Sequence, residues 1–351
     1  MPDKPLSAAE RKWRLFRAWT AGHPIWCAWQ ITYRCNFRCD FCGYWNDEMG
    51  RMPELSLDQY SLGARKLAQF GTLMVSLAGG EPMVRDDLPE IIRRVGRYHF
   101  PFMTTNGWLV NEHNAAEIMR AGIWGVSVSI DYASPEKHDA RRGVHGSWQQ
   151  AWKAVELLSA ARVHKYQRVS VLSVLMDDNI DDCLKLIEMA DRRNAYYLIQ
   201  PYCFRKTGSR AYGHNNGPVS PRLLELFDLY RNFASGPLYI SKFDQFLHGG
   251  VPNCKAGRAF FNIDSKGDIA SCVERKHLPV ANLLTDSAST IRNRLRAEAK
   301  GNTCTDCWYN CRGEIEGLYS PYGFLKCLRH YILDNGRAKS TVASPAARKS
   351  R

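Results

Sequence analysis

Residues 26–201 alternate short apolar runs with stretches of helical periodicity. The apolar runs span four to eight residues and predict buried strands at Trp26–Tyr33, Leu73–Leu77, Phe102–Thr105, Gly125–Ile130, Arg168–Leu175 and Tyr196–Ile199. The stretches between them predict helices at Leu57–Phe70, Leu88–Tyr98, Glu112–Ala121, Trp148–Ala161 and Asp181–Arg192. This alternation predicts an α/β fold with a parallel sheet and right-handed crossovers.

The number of strand–helix units limits the architecture. A closed TIM barrel needs eight units, so the six units found here predict a partial (β/α)6 TIM-like barrel over residues 26–201. In such folds, ligands bind at the C-terminal ends of the strands. We therefore expect the functional residues in the loops that directly follow the strands.

The pattern changes in the second half of the chain. Residues 202–253 form a connecting segment with one helical pattern, at Pro221–Phe233. Cysteines are dense in residues 254–333, which we expect to form a small cysteine-rich α+β extension. Residues 334–351 combine Ser, Ala, Pro and charge with little to bury, which predicts a disordered basic tail.

The net charge of +13 is concentrated at the two ends of the chain. Residues 1–25 carry +3 and residues 334–351 carry +4, which leaves +6 for residues 26–333. A basic chain suggests nucleic acid or an anionic membrane as a partner. The predicted strands lack the basic and aromatic stripe that binds RNA, so no nucleic-acid partner is expected.

The N-terminal segment, residues 1–25, interleaves arginines with Trp13, Phe16 and Trp19. This pattern predicts an amphipathic helix, and the favoured interpretation is that it packs on the domain with its arginines in water. The alternative is a weak contact with a membrane surface. No apolar run is long enough to span a bilayer and no secretory signal begins the chain, so we expect a cytoplasmic protein, at most peripheral to a membrane.

Three of the twelve cysteines follow the first predicted strand within eight residues: Cys35, Cys39 and Cys42. Zinc usually takes four ligands, whereas a [4Fe–4S] cluster held by three thiolates keeps one iron open. The spacing resembles the CxxxCxxC hallmark of the radical S-adenosylmethionine (SAM) superfamily. Phe41 also fits that family, in which the residue before the last cysteine lies against the adenine.

Further motifs of the same family follow the next predicted strands in the family's order. They are Gly79, Gly80, Glu81 and Pro82 after the second strand, Thr105 and Asn106 after the third, Ser129 and Asp131 after the fourth, and then Arg142. The resemblance implies that the Gly-Gly-Glu-Pro segment receives the methionyl ammonium of SAM. It places Ser129 and Asp131 near the ribose and carboxylate, and Arg142 either pairs with the SAM carboxylate or is a surface arginine.

The resemblance, which covers residues 26–201, implies a specific chemistry. A cluster reduced by a partner such as flavodoxin or ferredoxin passes one electron to the sulfonium of SAM. Methionine and a 5′-deoxyadenosyl radical result, and the radical abstracts a hydrogen atom from the substrate.

A second group of cysteines begins with Cys254 and Cys272, spaced as Cys-x12-Gly-x4-Cys. This spacing resembles the opening of SPASM and twitch domains, which bind auxiliary [4Fe–4S] clusters. A β-hairpin is predicted at residues 261–269, with Gly267 in the turn. The remaining cysteines of the group are Cys304, Cys307, Cys311 and Cys327.

Two ligand sets remain open for an auxiliary cluster. One combines Cys254 and Cys272 with Cys304 and Cys307. The other combines Cys304, Cys307, Cys311 and Cys327, and Cys203 is a further candidate ligand. The sequence does not decide between one and two auxiliary clusters, and a zinc site is the main alternative because CxxC pairs also bind zinc.

The leading hypothesis is a radical SAM oxidoreductase that oxidises its substrate with the help of an auxiliary cluster. The substrate is a peptide or a small molecule, since only 34 residues precede Cys35 and a separate leader-binding domain is not expected. The alternative is a non-catalytic iron–sulfur protein that transfers electrons or binds RNA.

Overall fold

The structure, a computed structural model, describes residues 5–213 and 217–319. The predictions for Cys327 and for the tail at residues 334–351 lie outside the described residues. Among the described residues, no helix combines the length and apolar character needed to cross a membrane.

One mixed sheet of nine strands runs through the described residues. Its strands are β1 Trp26–Thr32, β2 Met74–Gly79, β3 Phe100–Thr105, β4 Gly125–Ser129, β5 Arg168–Leu175, β6 Tyr196–Pro201, β7 Phe260–Ile263, β8 Asp268–Ala270 and β9 Ala281–Asn282. The spatial order is β6-β5-β4-β3-β2-β1-β7-β8-β9, and β1 to β6 pair in parallel. The six predicted strands and the parallel α/β architecture are therefore confirmed.

Twelve α-helices lie in the described residues. They are α1 Ala8–Thr20, α2 Leu57–Leu67, α3 Leu88–Gly96, α4 Glu112–Arg120, α5 Pro135–Arg142, α6 Ser147–Ala160, α7 Asp182–Arg192, α8 Ser220–Leu229, α9 Pro237–Ile240, α10 Phe243–Gly249, α11 Ala288–Lys300 and α12 Asn310–Leu318. Each predicted helix is present, and α3 shows the expected burial of an apolar face at Leu88, Ile91, Ile92 and Val95.

Helix α5 is absent from the sequence prediction because its sequence, PEKHDARR, has no apolar periodicity. Its ends explain why it forms. Ser134 accepts a hydrogen bond from the Lys137 amide, Pro135 occupies the first turn, and Gly143 ends the helix at φ +70°. The helix places Arg142 in the interior, beside the loop after β1.

The predicted hairpin is confirmed, and it belongs to the same sheet as the barrel. β7 and β8 pair antiparallel, with Asn262 opposite Ala270, and Gly267 in the turn has φ +92°. β7 also pairs in parallel with β1, with Trp26 opposite Phe260. The cysteine-rich extension is thus attached directly to the strand that precedes the first cysteine loop.

Helix α1 packs on the domain. Arg11 donates to the carbonyl oxygens of Gly96 (2.5 Å) and His99 (3.1 Å), and the Trp19 indole donates to the Leu318 carbonyl at 3.0 Å. The expectation that every arginine of this helix faces water is therefore wrong for Arg11, because its guanidinium satisfies backbone carbonyls at the end of α3.

Candidate functional site

The loop after β1 brings three thiols together. Cys39 is buried, while Cys35 and Cys42 are half-buried. Burial raises the pKa of Cys35 to about 12 and that of Cys39 to about 11, and the neighbouring thiols contribute to both increases. All three side chains belong to or pack against one apolar cluster, which also contains Phe37 and Phe41.

The chemistry of this loop fits an iron–sulfur cluster. Thiolates are the soft ligands that such clusters take, and binding removes the thiol protons. Within the described ranges, no three His, Cys, Asp or Glu side chains are already grouped as metal ligands. Cys35, Cys39 and Cys42 are the residues of this loop that would hold the cluster.

Glu81 connects the loops that follow β2 and β3. Its Oε1 accepts from the Thr105 hydroxyl at 2.7 Å and from the Met83 amide at 3.0 Å, and its Oε2 accepts from the Asn106 amide at 2.7 Å. The carboxyl group is 1% exposed, and this burial raises the pKa of Glu81 against the opposing effect of the hydrogen bonds. The carboxylate is thus oriented by the protein's own donors.

Asn106 extends this network to the cysteine loop. Its side-chain amide donates to Oδ1 of Asn36 at 2.8 Å, and its own Oδ1 accepts from the Trp108 amide at 2.9 Å. The Trp108 ring lies 5.9 Å from the ring of Phe37, edge to face. Side chains after β3 therefore hold the segment that carries the first two cysteines.

Gly79 and Gly80 allow the loop after β2 to pack against the end of β1. A Cβ on Gly79, at φ +130°, would lie 1.8 Å from the Thr32 carbonyl oxygen, and a Cβ on Gly80 would lie 2.1 Å from that of Arg34. The amides of Gly80 and Glu81 donate to those two carbonyls, both at 2.9 Å. The glycines are thus required by the protein's own backbone, whatever ligand binds beside them.

Replacing Gly79 with alanine is expected to destabilise the fold by about 2–5 kcal/mol, because backbone strain and a steric clash combine. Gly22→Ala is the matched control, since Gly22 has φ +64° and open space where its Cβ would lie. It should cost only the strain of a left-handed residue, about 1–2 kcal/mol. Denaturant unfolding of both variants measures the difference, and equal losses would contradict the assigned clash.

Asp131 and Arg142 form a buried ion pair. Oδ2 of Asp131 accepts from Nε and Nη2 of Arg142 at 2.8 and 2.6 Å, and Oδ1 accepts from the Val174 amide at 2.9 Å. Asp131 is 0% and Arg142 is 7% exposed. The surface interpretation of Arg142 is therefore wrong, because α5 turns its side chain inward to the aspartate.

Arg142 also contacts the cysteine loop. Its guanidinium lies 5.1 Å from the centre of the Phe41 ring, a cation–π distance. Burial opposes its charge, but Asp131, Cys39 and Cys42 raise the pKa of Arg142 above its usual value. A permanent cation therefore lies beside the thiols and beside the aromatic residue expected to face the adenine.

Two other predicted positions also lie at the ends of strands, Ser129 at the end of β4 and Pro82 after β2. Ser129 ends β4 half-buried, and Pro82 is buried at the start of a short 3-10 helix. Asn179 carries no motif, so sequence reasoning assigned it no place in the site. Its side-chain amide donates to the carbonyls of Asp131 (3.0 Å) and Val174 (2.8 Å), which fixes the backbone after β4.

Four cysteines of the extension influence one another electrostatically: Cys254, Cys272, Cys307 and Cys311. Burial raises the pKa of Cys272 to about 11 and that of Cys311 to about 12; Cys254 adds to both increases, and Cys272 adds to that of Cys311. Burial together with the same neighbours raises the pKa of Cys307 further. In the structure Cys254 and Cys272 share one apolar cluster, and Cys307 and Cys311 share another.

Two further cysteines border this group. Cys304 is half-buried against the apolar cluster that contains Cys254. Cys203 is buried beside Cys307, and its thiol donates to the Asp306 carbonyl at 3.3 Å.

Arg312 holds the extension's cysteine segments together. It is fully buried, and it donates to the carbonyls of Cys307 (2.8 Å) and Val251 (2.6 Å) and to Oε1 of Glu316 (3.1 Å). Glu316 in turn accepts from the amide of Lys255, next to Cys254, at 2.7 Å. No sequence motif includes Arg312, so its role is visible only in the folded structure.

The sequence of this chain matches the model of a known family and the sequence of a curated relative. Residues 29–190 match the sequence model of the Radical SAM superfamily. The mycofactocin maturase MftC of Mycobacterium ulcerans is 28% identical over 313 residues, which span 83% of this chain and 82% of that protein.

Two solved structures share the fold. SuiB of Streptococcus suis, bound to the precursor peptide SuiA, aligns with a TM-score of 0.64 at 16% identity, over 84% of this chain and 71% of that one. Native anSMEcpe with bound AdoMet and the Cp18Cys peptide aligns with a TM-score of 0.58 at 16% identity, over 89% of this chain and 98% of that one.

Proposed function

Because this chain belongs to the radical SAM superfamily through residues 29–190, we propose that it cleaves SAM reductively and modifies a peptide. The observation that carries the proposal is the convergence of three loops. The cysteine loop after β1 contacts Asn106 after β3, and Asn106 and Thr105 both contact Glu81 after β2. The loops after parallel strands are where α/β folds bind their ligands.

Each residue of the site has a proposed part. Cys35, Cys39 and Cys42 hold a [4Fe–4S] cluster and leave one iron open. That cluster, when bound, supplies one electron to the sulfonium of SAM, and the resulting 5′-deoxyadenosyl radical takes a hydrogen atom from the substrate. Glu81 and the backbone of the two glycines before it receive the methionyl ammonium, and Phe41 lies against the adenine.

The roles of Asp131 and Arg142 follow from their pairing. Both guanidinium nitrogens that face the aspartate bond to its Oδ2. Asp131 therefore acts as a positioning residue that holds Arg142 beside Phe41 and the thiols. The remaining guanidinium nitrogen, Nη1, is the proposed donor to the SAM carboxylate, because arginine pairs well with carboxylates. Ser129 is proposed to face the ribose.

A peptide substrate is supported by the relatives. The protein that matches 83% of this chain is named a maturase, and SuiB, which shares the fold, was solved with a precursor peptide. We propose a flavodoxin or ferredoxin as the source of the electron. The alternative is a small-molecule substrate, and the peptide experiment described below distinguishes between the two.

We also propose that Cys254, Cys272, Cys307 and Cys311 hold an auxiliary [4Fe–4S] cluster. The packing of Cys254 with Cys272 and of Cys307 with Cys311 supports the set, and four thiolates saturate a cluster's irons. Such a cluster would accept the electron left on the substrate, so that the net change is an oxidation. Cys304 and Cys203 are proposed to lie outside this ligand set.

Arg312→Met is expected to remove the iron of the extension while the first cluster remains. The change leaves the carbonyl of Cys307 without this donor and Glu316 without its cation, which loosens both cysteine segments. Iron analysis should fall from about eight to about four atoms per chain. Arg296→Met, an exposed change on α11, is the control and should keep the full content. Unchanged iron in Arg312→Met would contradict the scaffold role.

The proposed function is tested with short peptides encoded beside this gene. The cluster-loaded chain is incubated without oxygen with SAM, dithionite and each peptide, and products are analysed by mass spectrometry. We expect 5′-deoxyadenosine together with a peptide that has lost two hydrogen atoms. SAM cleavage with every peptide unchanged would overturn the peptide assignment in favour of a small molecule. No cleavage from an iron-replete sample would favour a non-catalytic iron–sulfur protein.

A further inference from the structure

Lys206 lies where the first cysteine loop meets the extension. It ends the short 3-10 helix Phe204–Lys206 that follows β6. A Cβ on Gly43 would lie 2.6 Å from the Lys206 carbonyl oxygen, so the residue after Cys42 packs directly on the Lys206 backbone. No motif in the sequence includes this lysine.

The side chain of Lys206 contacts segments from both cysteine groups. Its Nζ lies 4.5 Å from the ring centre of Tyr44, two residues after Cys42, and 4.9 Å from that of Tyr309. It also lies 3.6 Å from Oε1 of Glu274, two residues after Cys272. Tyr309 in turn stands between Cys307 and Cys311 in the chain. One ammonium group therefore contacts residues that lie within two positions of cysteines from both sets.

This ammonium group stays charged. Burial opposes the charge, but Tyr44, Glu274, Cys42 and Cys311 together raise the pKa of Lys206 above its usual value. Glu274 is held in place because Tyr309 donates to its Oε1 at 2.7 Å. Lys206 is thus a fixed cation, with a fixed carboxylate on one side of it.

Reduction adds one negative charge to a cluster, and a nearby fixed cation stabilises that charge. We propose that Lys206 is a shared electrostatic positioning residue that raises the reduction potential of both clusters, the one held by the loop after β1 and the one held by the extension. This inference rests on the proposed function, since it takes both thiol groups as cluster ligands. Glu274 acts in the opposite direction, because its negative charge disfavours the reduced state.

The test measures potentials rather than turnover. Full-length protein is loaded with iron and sulfide, and the midpoint potential of each cluster is followed by electron paramagnetic resonance during a redox titration. Lys206→Met should make reduction of both clusters about tenfold less favourable, equivalent to about 59 mV downward for a one-electron couple. Lys206→Arg should keep both potentials near the unmodified values, because the charge is retained.

Two further variants complete the experiment. Glu274→Gln should raise the potentials of both clusters. If Lys206→Met fails to bind iron, the potentials of Glu274→Gln test the inference instead. Lys242→Met is the control, because Lys242 is an exposed lysine 5.4 Å from the Trp308 ring, and it should move neither potential.

Unchanged potentials in Lys206→Met, a shift confined to one cluster, or a downward shift in Glu274→Gln would each overturn the inference. Failure of the proposed function is a different result, namely absence of SAM cleavage by the unmodified chain.

Discussion

Replacing Cys35, Cys39 and Cys42 together with alanine is expected to reduce 5′-deoxyadenosine formation below about one thousandth of the unmodified rate. Without these thiolates nothing holds the open cluster, so no electron reaches the sulfonium of SAM. Iron bound by the extension should remain, because its thiols lie on other segments. Anaerobic incubation with SAM and dithionite, followed by chromatography and iron analysis, measures both effects.

Cys27→Ala is the matched control for this triple variant. Cys27 lies in β1, just before the same loop, and is fully buried as a small apolar side chain. Its replacement should leave SAM cleavage within about twofold of the unmodified rate, with only a modest loss of stability. Cleavage that persists in the triple variant, or loss of all iron from it, would contradict two separate thiol sites.

Arg142→Met should reduce the free energy of unfolding by about 3–5 kcal/mol. The change leaves the Asp131 carboxylate buried without its cation, and the fold must then keep or protonate an uncompensated charge. Denaturant unfolding of the metal-free chain measures this cost independently of catalysis.

The neighbouring residue supplies the control. Arg141 pairs with Asp40 (3.2 Å) and Asp178 (3.5 Å), and all three are partly exposed. Arg141→Met should therefore cost about 0–1 kcal/mol. Adding Asp131→Asn to Arg142→Met should recover part of the loss, because the buried charge is removed while Oδ1 still accepts from Val174. Similar losses for both arginine variants would argue against the assigned pair.

The barrel strands and the motif positions could be predicted because each leaves a local signal. Continuous apolar runs such as Trp26–Trp29 in β1 mark buried strands. The cysteine loop, Glu81 and Asn106 follow strands in a fixed order, so a parallel sheet brings them to one edge. At these positions the local sequence pattern and the parallel sheet predict the same location for the motif residues.

Other features depend on contacts between distant segments and left no local signal. Helix α5 is polar along its whole length, so only its cap and its terminal glycine mark it. The pairing of Arg142 with Asp131 needs that helix to be in place. The pairing of β7 with β1 joins residues more than two hundred positions apart, and nothing in the sequence of either strand indicates which strand it pairs with.

The sequence did not determine the ligand set of the extension, because that set also depends on contacts between distant segments. Spacing along the chain favoured CxxC pairs such as Cys304 and Cys307, whereas in the fold Cys304 packs against the apolar cluster of Cys254, and Cys307 packs with Cys203 and Cys311. Arg312 contributes to this arrangement through the carbonyl of Cys307 and the segment before Cys254. A single buried arginine that bonds to backbone carbonyls cannot be recognised from its neighbours in sequence.

The most direct test of the central claim is reductive SAM cleavage by the unmodified chain. Protein reconstituted with iron and sulfide is mixed with SAM and dithionite in the absence of oxygen, and the products are quantified by mass spectrometry. We predict 5′-deoxyadenosine and methionine in equal amounts, both dependent on the reductant. An iron-replete protein that forms neither product would contradict the assignment of Cys35, Cys39 and Cys42 to a SAM-cleaving cluster.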